Sequence, residues 1–205
     1  MRESKLIPFW EITGSVSTLI VIKIDALAFQ SRHPIGISIP QTSITTIADK
    51  TDNTMACPIP EDEAQRLEAL RSYEILDTPP EVDFDALTRV AAHTFDTPAA
   101  VVGLMDAGRL WFKSRLGVDE PQLDRQIAFC AYAIMEPEKT LIVKDLKSDP
   151  RFEDNPLVKQ PPNLRFYAGA PIVARSGHAL GTIAIADVKP RSFSNAQSGV
   201  LRDLS

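Results

Sequence analysis

The chain has 205 residues, of which 44% are hydrophobic and 24% charged, an ordinary balance for a soluble globular protein of one domain with room for an extension. Its net charge of −5 offers no bulk attraction to nucleic acid or anionic lipid, and no basic patch stands out. Two cysteines, Cys57 and Cys130, cannot make a disulfide framework, and the three histidines lie too far apart in sequence for a metal-ligand motif.

Residues 1–55 are rich in Ile, Ser and Thr and never settle into a helical period. Arg2 and Lys5 precede an apolar run, Ile12 to Ile22, and Ala26-Leu27-Ala28 has the form of a cleavage site. Glu11, Lys23 and Asp25 interrupt that pattern, and the run is too short to span a bilayer, so a cytoplasmic location with no membrane span is expected. Met55 stands just before a well-formed domain start and is a candidate translation start; the segment before it is read as either native or foreign. Residues 1–59 are expected to be a poorly ordered extension, and 60–205 the domain.

From Pro60 the chain becomes regular. Glu61 to Tyr73 places Ala64, Leu67 and Leu70 on a narrow apolar stripe among Glu, Gln and Arg, which predicts an amphipathic helix. Thr78-Pro79-Pro80-Glu81 predicts a second helix start, with Thr78 as N-cap, Pro79 in the first turn and Glu81 completing a capping box. That helix runs to about Phe95 with Phe84, Leu87, Ala91 and Phe95 on one face. Ala99 to Met105 is a continuous apolar run suited to a buried strand. Leu110 to Leu116 alternates Trp111, Lys113 and Arg115 against Leu110, Phe112 and Ser114, a half-exposed strand nearer an edge.

Arg125 to Met135 predicts a short helix, and Thr140 to Val143 a third strand. Ser148 to Val158 is a polar loop in which Phe152 and Leu157 would serve as anchors if buried. Phe166 to Asp187 holds two apolar runs around Ser176-Gly177, an antiparallel hairpin covered on both faces and therefore central in a sheet. Its small residues either border a cavity or let a helix sit close. Ser194 caps a last helix whose pattern is unfinished at Ser205, and we expect truncation there.

The ordered strings ILDTPPE (Ile75–Glu81), WFKSRLG (Trp111–Gly117), FC-A-AI (Phe129–Ile134), DPRF-DNPLV (Asp149–Val158), RFYAGAP (Arg165–Pro171) and G-ALGT (Gly177–Thr182) resemble the GAF domain family. The likeness is to the branch at the front of bacterial sensor histidine kinases and diguanylate cyclases. It covers about Glu61 to Ser205. The resemblance implies an α/β fold with a central antiparallel sheet of five or six strands and helices on both faces. It also implies a ligand site between the sheet and the side formed by Arg125–Met135 and Asp149–Val158.

Several chemistries known in that family are not supported here. Bilin-binding members carry a Cys usually followed by His, whereas Ala131 follows Cys130. Free methionine sulfoxide reductases use several cysteines, and the Asn-Lys-Phe-Asp-Glu signature of cyclic-nucleotide binders is missing. Asp145, Asp149, Glu153 and Asp154 are read as loop caps rather than an acid–base pair, and Arg151 and Arg165 as their ion-pair partners.

The expected ligand pocket comprises Phe129, Cys130, Arg151, Phe152, Asn155, Phe166, Tyr167 and Gly169. No cofactor is named, no metal site is expected, and the partner is an unidentified small molecule. The expected function is a sensory domain of a bacterial two-component or related signalling protein, not an enzyme, with any output domain beyond Ser205. A homodimer through the terminal helices is expected. The second reading is a structural dimerisation module without a ligand.

Overall fold

The computed structural model describes residues 57–205; of the extension expected over 1–59, residues 1–56 lie outside them, and Cys57 is buried in a core. Five helices and six strands follow in the order α1 (Glu63–Ser72), α2 (Val82–Phe95), β1 (Ala99–Met105), β2 (Arg109–Leu116), β3 (Gln122–Asp124), α3 (Cys130–Ala133), β4 (Leu141–Val143), α4 (Pro156–Lys159), β5 (Phe166–Val173), β6 (Ala179–Asp187) and α5 (Asn195–Asp203). Among the described residues no helix is long and apolar enough to cross a membrane.

All neighbouring strands are antiparallel, in the spatial order β3-β2-β1-β6-β5-β4. The β5–β6 hairpin therefore lies inside the sheet, as its two-sided apolar sequence requires. Ala170, Ile183 and Ile185 are buried, while Ile172, near the hairpin end, is half-buried. Two main cores result from the alternation of side chains along the strands. On one face, Ala100, Val102, Ala168, Ile183 and Ile185 pack against Ala91 and Phe95 of α2 and Leu201 of α5. On the other, Met105, Leu110, Phe112, Tyr167 and Ala184 meet Phe129, Phe152 and Leu157.

Local signals placed most elements, and long-range partners moved some of their details. Ser194 caps α5 as expected, and the structure adds a reciprocal capping box with Gln197. The start of α2 differs. It begins at Val82, its N-cap is Glu81, and no side chain caps it. Lys113 has taken the expected capping groups. Its ammonium donates to Thr78 Oγ1 at 2.6 Å and Pro79 O at 2.9 Å, and pairs with Glu81.

Lys113 is free to do this because the β1–β2 register shifts between Val102 and Gly103, leaving Lys113 unpaired while Phe112 and Ser114 keep partners. The bulge breaks the alternation, so Trp111, Phe112, Lys113 and Ser114 are all buried in a strand expected to be half-exposed. Ser114 is held by Thr88 and Asp85 of α2. Trp111 is covered through the small core that Leu70 of α1 forms with Leu104 and Leu180.

Helix α1 also departs from its stripe. Leu70 is buried and Leu67 half-buried, but Ala64 is exposed and Arg66 takes an inside position. Arg66 donates through Nε and Nη2 to Glu63, whose Oε1 also accepts from Arg125 Nη1 at 2.5 Å. One carboxylate thus joins two buried guanidinium groups, Arg66 on α1 and Arg125 in the 3-10 turn Arg125–Ile127.

Candidate functional site

The region expected to hold a helix from Arg125 to Met135 is instead a 3-10 turn, Arg125–Ile127, followed by the four-residue α3. Together with α4 and its preceding loop, it covers the sheet face carrying Tyr167 and Ala184. Asn155 fastens these two pieces to each other. Its Oδ1 accepts from Leu157 N as the cap of α4, and its Nδ2 donates to Ile127 O at 3.0 Å.

Between this cover and the sheet lies an apolar cavity of about 60 Å³. Its walls include Leu110 and Phe112 of β2, Phe129 and Cys130, Leu157 and Leu164, Tyr167 of β5 and Ala184 of β6. Ala99 and Ala186, at paired positions of β1 and β6, and Val118 and Leu123 complete one end.

Three of the eight expected pocket residues, Phe129, Cys130 and Tyr167, line this cavity. The other five are placed differently. Phe166 points to the opposite sheet face, 5.6 Å from the ring of Phe193, because adjacent strand residues alternate sides. Phe152 is fully buried behind the wall, edge-on to Phe129 at 5.2 Å and to Tyr132 at 4.8 Å. Asn155 has its side-chain amide engaged at both ends. Arg151 is exposed, pairs with Asp149 at 2.7 Å and lies over the Phe152 ring.

Gly169 faces the covered side, but the Tyr167 ring occupies the volume it frees. A Cβ at Gly169 would stand 2.2 Å from the Tyr167 hydroxyl. That position anchors a buried polar trio: Tyr167 OH and Thr182 Oγ1 both donate to Cys130 Sγ, at 3.3 and 3.0 Å. Burial pushes the Cys130 thiol up despite these hydrogen bonds, and burial together with Cys130 raises Tyr167 well above its usual range. Both groups are neutral at physiological pH, so the trio is a structural clasp between α3 and the hairpin.

Asp145 and Asp149 are held by the two arginines the sequence suggested, whereas Asp154 pairs with a lysine. Asp145 accepts from Arg165 through both oxygens, which holds its carboxyl down to about 2. Asp149 is lowered by its hydrogen bond from Arg151, and Asp154 pairs with Lys159. Among the described residues no three or more His, Cys, Asp or Glu side chains are grouped to hold a metal.

The cavity-lining residues missed from sequence are Leu110, Phe112, Val118, Leu123, Leu157, Leu164, Ala99 and Ala184, with the neighbouring strand residues of the β1–β6 centre. Leu157 had a signal as a loop anchor, and Leu110 and Phe112 had one in their alternation. Val118 and Leu164 sit in irregular stretches with no period to read. The packing of Phe152 makes a direct prediction: Phe152→Ala should destabilise the domain by about 3–5 kcal/mol, since it removes a fully buried ring that Phe129 and Tyr132 both contact. Chemical denaturation checks this, and a loss under 1 kcal/mol would show that the cover does not depend on the ring.

A six-stranded antiparallel sheet with helices on both faces and a cavity under one of them defines the class, and the comparisons define the family. The model of the GAF domain family matches residues 79–205, and the chain belongs to that family, which is typical of signalling proteins. A cyclic di-GMP phosphodiesterase of Pseudomonas aeruginosa is 38% identical over 134 residues, covering 65% of this chain and 23% of the relative. The chain thus spans about a quarter of that relative's length.

Among solved structures, the GAF domain of an Acinetobacter phosphoenolpyruvate-protein phosphotransferase is similar with a TM-score of 0.50 at 16% identity, covering 71% of this chain and 89% of that one. The blue-light absorbing form of the PixJ GAF domain from Thermosynechococcus elongatus gives 0.50 at 11% identity, covering 72% and 84%. At such identities these likenesses show the fold. The expectation that the protein is not an enzyme is corrected by the Pseudomonas match, because that relative is named for an enzymatic activity.

Proposed function

We propose that this chain is the sensory and regulatory GAF region of a cytoplasmic bacterial protein that hydrolyses cyclic di-GMP, with residues 60–205 as the sensing domain. The observation that carries the reading is the 38% identity to a cyclic di-GMP phosphodiesterase, which spans 65% of the chain. The cavity beside Phe129, Cys130 and Tyr167 is the ligand site in this reading, and its filling alters the packing of α3 and α4 against the sheet. The expected experiment is hydrolysis of cyclic di-GMP by the whole protein that carries this domain, compared with an Ala184→Val variant that fills the cavity. A severalfold change in rate supports the reading. Absence of hydrolysis, or a rate the variant leaves unchanged, sinks it.

The second reading is a dimerisation module. Tyr73 at the end of α1, Val82 and Val90 on α2, and Val200 on α5 are large apolar side chains exposed on the outer helical surface. A homodimer through the terminal helices would cover some of them. Light scattering at tens of micromolar, a generous concentration for such interfaces at roughly micromolar affinity, should show twice the monomer mass. A monomer at that concentration removes this reading.

A further inference from the structure

The cavity's chemistry defines what it can accept, and this inference rests on the proposed sensory role of the same site. We propose that it takes an uncharged, apolar molecule of only a few non-hydrogen atoms and excludes nucleotides and other anions. The first observation is size. A volume of about 60 Å³ is far below the roughly 300–1,000 Å³ of pockets that hold drug-sized ligands. It is also under half the roughly 150 Å³ of a dry apolar cavity that admits benzene or xenon.

The second observation is the lining. Leu110, Phe112, Phe129, Leu157, Leu164 and Ala184 present hydrocarbon to the space. Three polar side chains of the surrounding sheet and cover are already engaged. The Tyr167 and Thr182 hydroxyls both donate to Cys130 Sγ, and the Asn155 amide donates to Ile127 O. The backbones of β1 and β6 that form the floor are paired in one continuous register. A ligand with polar atoms would give up its hydrogen bonds to water for a hydrocarbon lining, and a charged one would find no counter-charge among the lining residues. An apolar ligand gains dispersion contacts with the hydrocarbon lining and loses little.

Xenon is the probe. Methyl-labelled NMR of the full 205-residue chain under increasing xenon pressure should show saturable shifts at Leu110, Leu157, Leu164 and Ala184. The methyls of Val102 and Ile183, in the opposite core, should stay fixed. The Ala184→Val variant, or Ala99→Val where the first does not fold, should abolish those shifts. The proposal is overturned if the wild-type shifts do not saturate, if filled variants respond as the wild type does, or if cyclic di-GMP or inorganic phosphate produces saturable shifts at these same methyls. Xenon binding in a protein without cyclic di-GMP hydrolysis would leave this inference standing and remove the proposed function. Hydrolysis without xenon binding would do the reverse.

Discussion

Glu63→Gln should be among the most destabilising single changes in the domain, at about 3–5 kcal/mol, the cost typical of breaking a buried ion pair by removing one partner. Glu63 is the carboxylate on which Arg66 and Arg125 both converge, and both arginines are buried. Glutamine would keep an acceptor but leave two guanidinium groups without a counter-charge. Arg125 Nη1 would be left with neutral acceptors only, among them the Asp106 and Ala107 carbonyls. The consequence extends to the cover of the cavity, because Arg125 opens the segment that leads into Phe129 and Cys130.

The same carboxylate sets a pH dependence. Burial works against its ionisation, but the hydrogen bonds from Arg66 and then Arg125 outweigh that and bring it from the ordinary 4.5 to about 2. A depressed carboxylate stabilises the folded state fully above its unfolded value. That contribution fades as the pH falls from about 4.5 towards 2. Urea unfolding at pH 7 and pH 3 should show the wild type losing stability while Glu63→Gln changes less over the same interval. Equal pH slopes for the two proteins would falsify the assignment.

Gly181→Ala should be equally severe for a different reason. A Cβ at Gly181 would stand 2.0 Å from the Gly103 carbonyl oxygen and 2.8 Å from Leu104 Cα. Both are backbone atoms of β1, the strand hydrogen-bonded to β6, so no side-chain rotation relieves the contact. The two strands must separate at the centre of the sheet, at about 3 kcal/mol or more. Gly177→Ala, in the hairpin turn, is the useful contrast. Nothing lies within 4 Å of its added Cβ, and its cost comes only from a positive φ of 87°. Thermal unfolding should place Gly181→Ala well below Gly177→Ala; the reverse order would show that the strand contact yields more easily than its geometry implies.

The longer elements and their order were legible in the sequence because they follow from local regularities, whereas the three-residue β3 was not foreseen and α4 begins in a stretch read as loop. The two-sided apolar runs of β5 and β6 and the turn at Ser176-Gly177 place that hairpin inside the sheet, where it lies between β1 and β4. The Ser194 cap and the α2 face of Leu87, Ala91 and Phe95 are equally local signals, and both are present. Which residues serve the site was much less legible, because side-chain partners are chosen across the fold. Strand alternation sends Phe166 away from the cavity that its neighbour Tyr167 lines. The Tyr167 ring fills the space above Gly169 that the missing side chain left. The enzymatic name of the relative is likewise invisible in the loop carboxylates, which are held by arginines and lysine.

Composition, period and turn chemistry by themselves determined an α/β domain with a central antiparallel hairpin, since each depends on residues a few positions apart. The tertiary structure alone decided that Lys113 takes Thr78 and Glu81 from the start of α2. It alone brought Arg125 and Glu63, 62 residues apart, into one part-buried ion pair, and set the cavity at about 60 Å³. Those outcomes depend on how a bulge, a 3-10 turn and a tyrosine ring pack together, and such packing has no period in the chain.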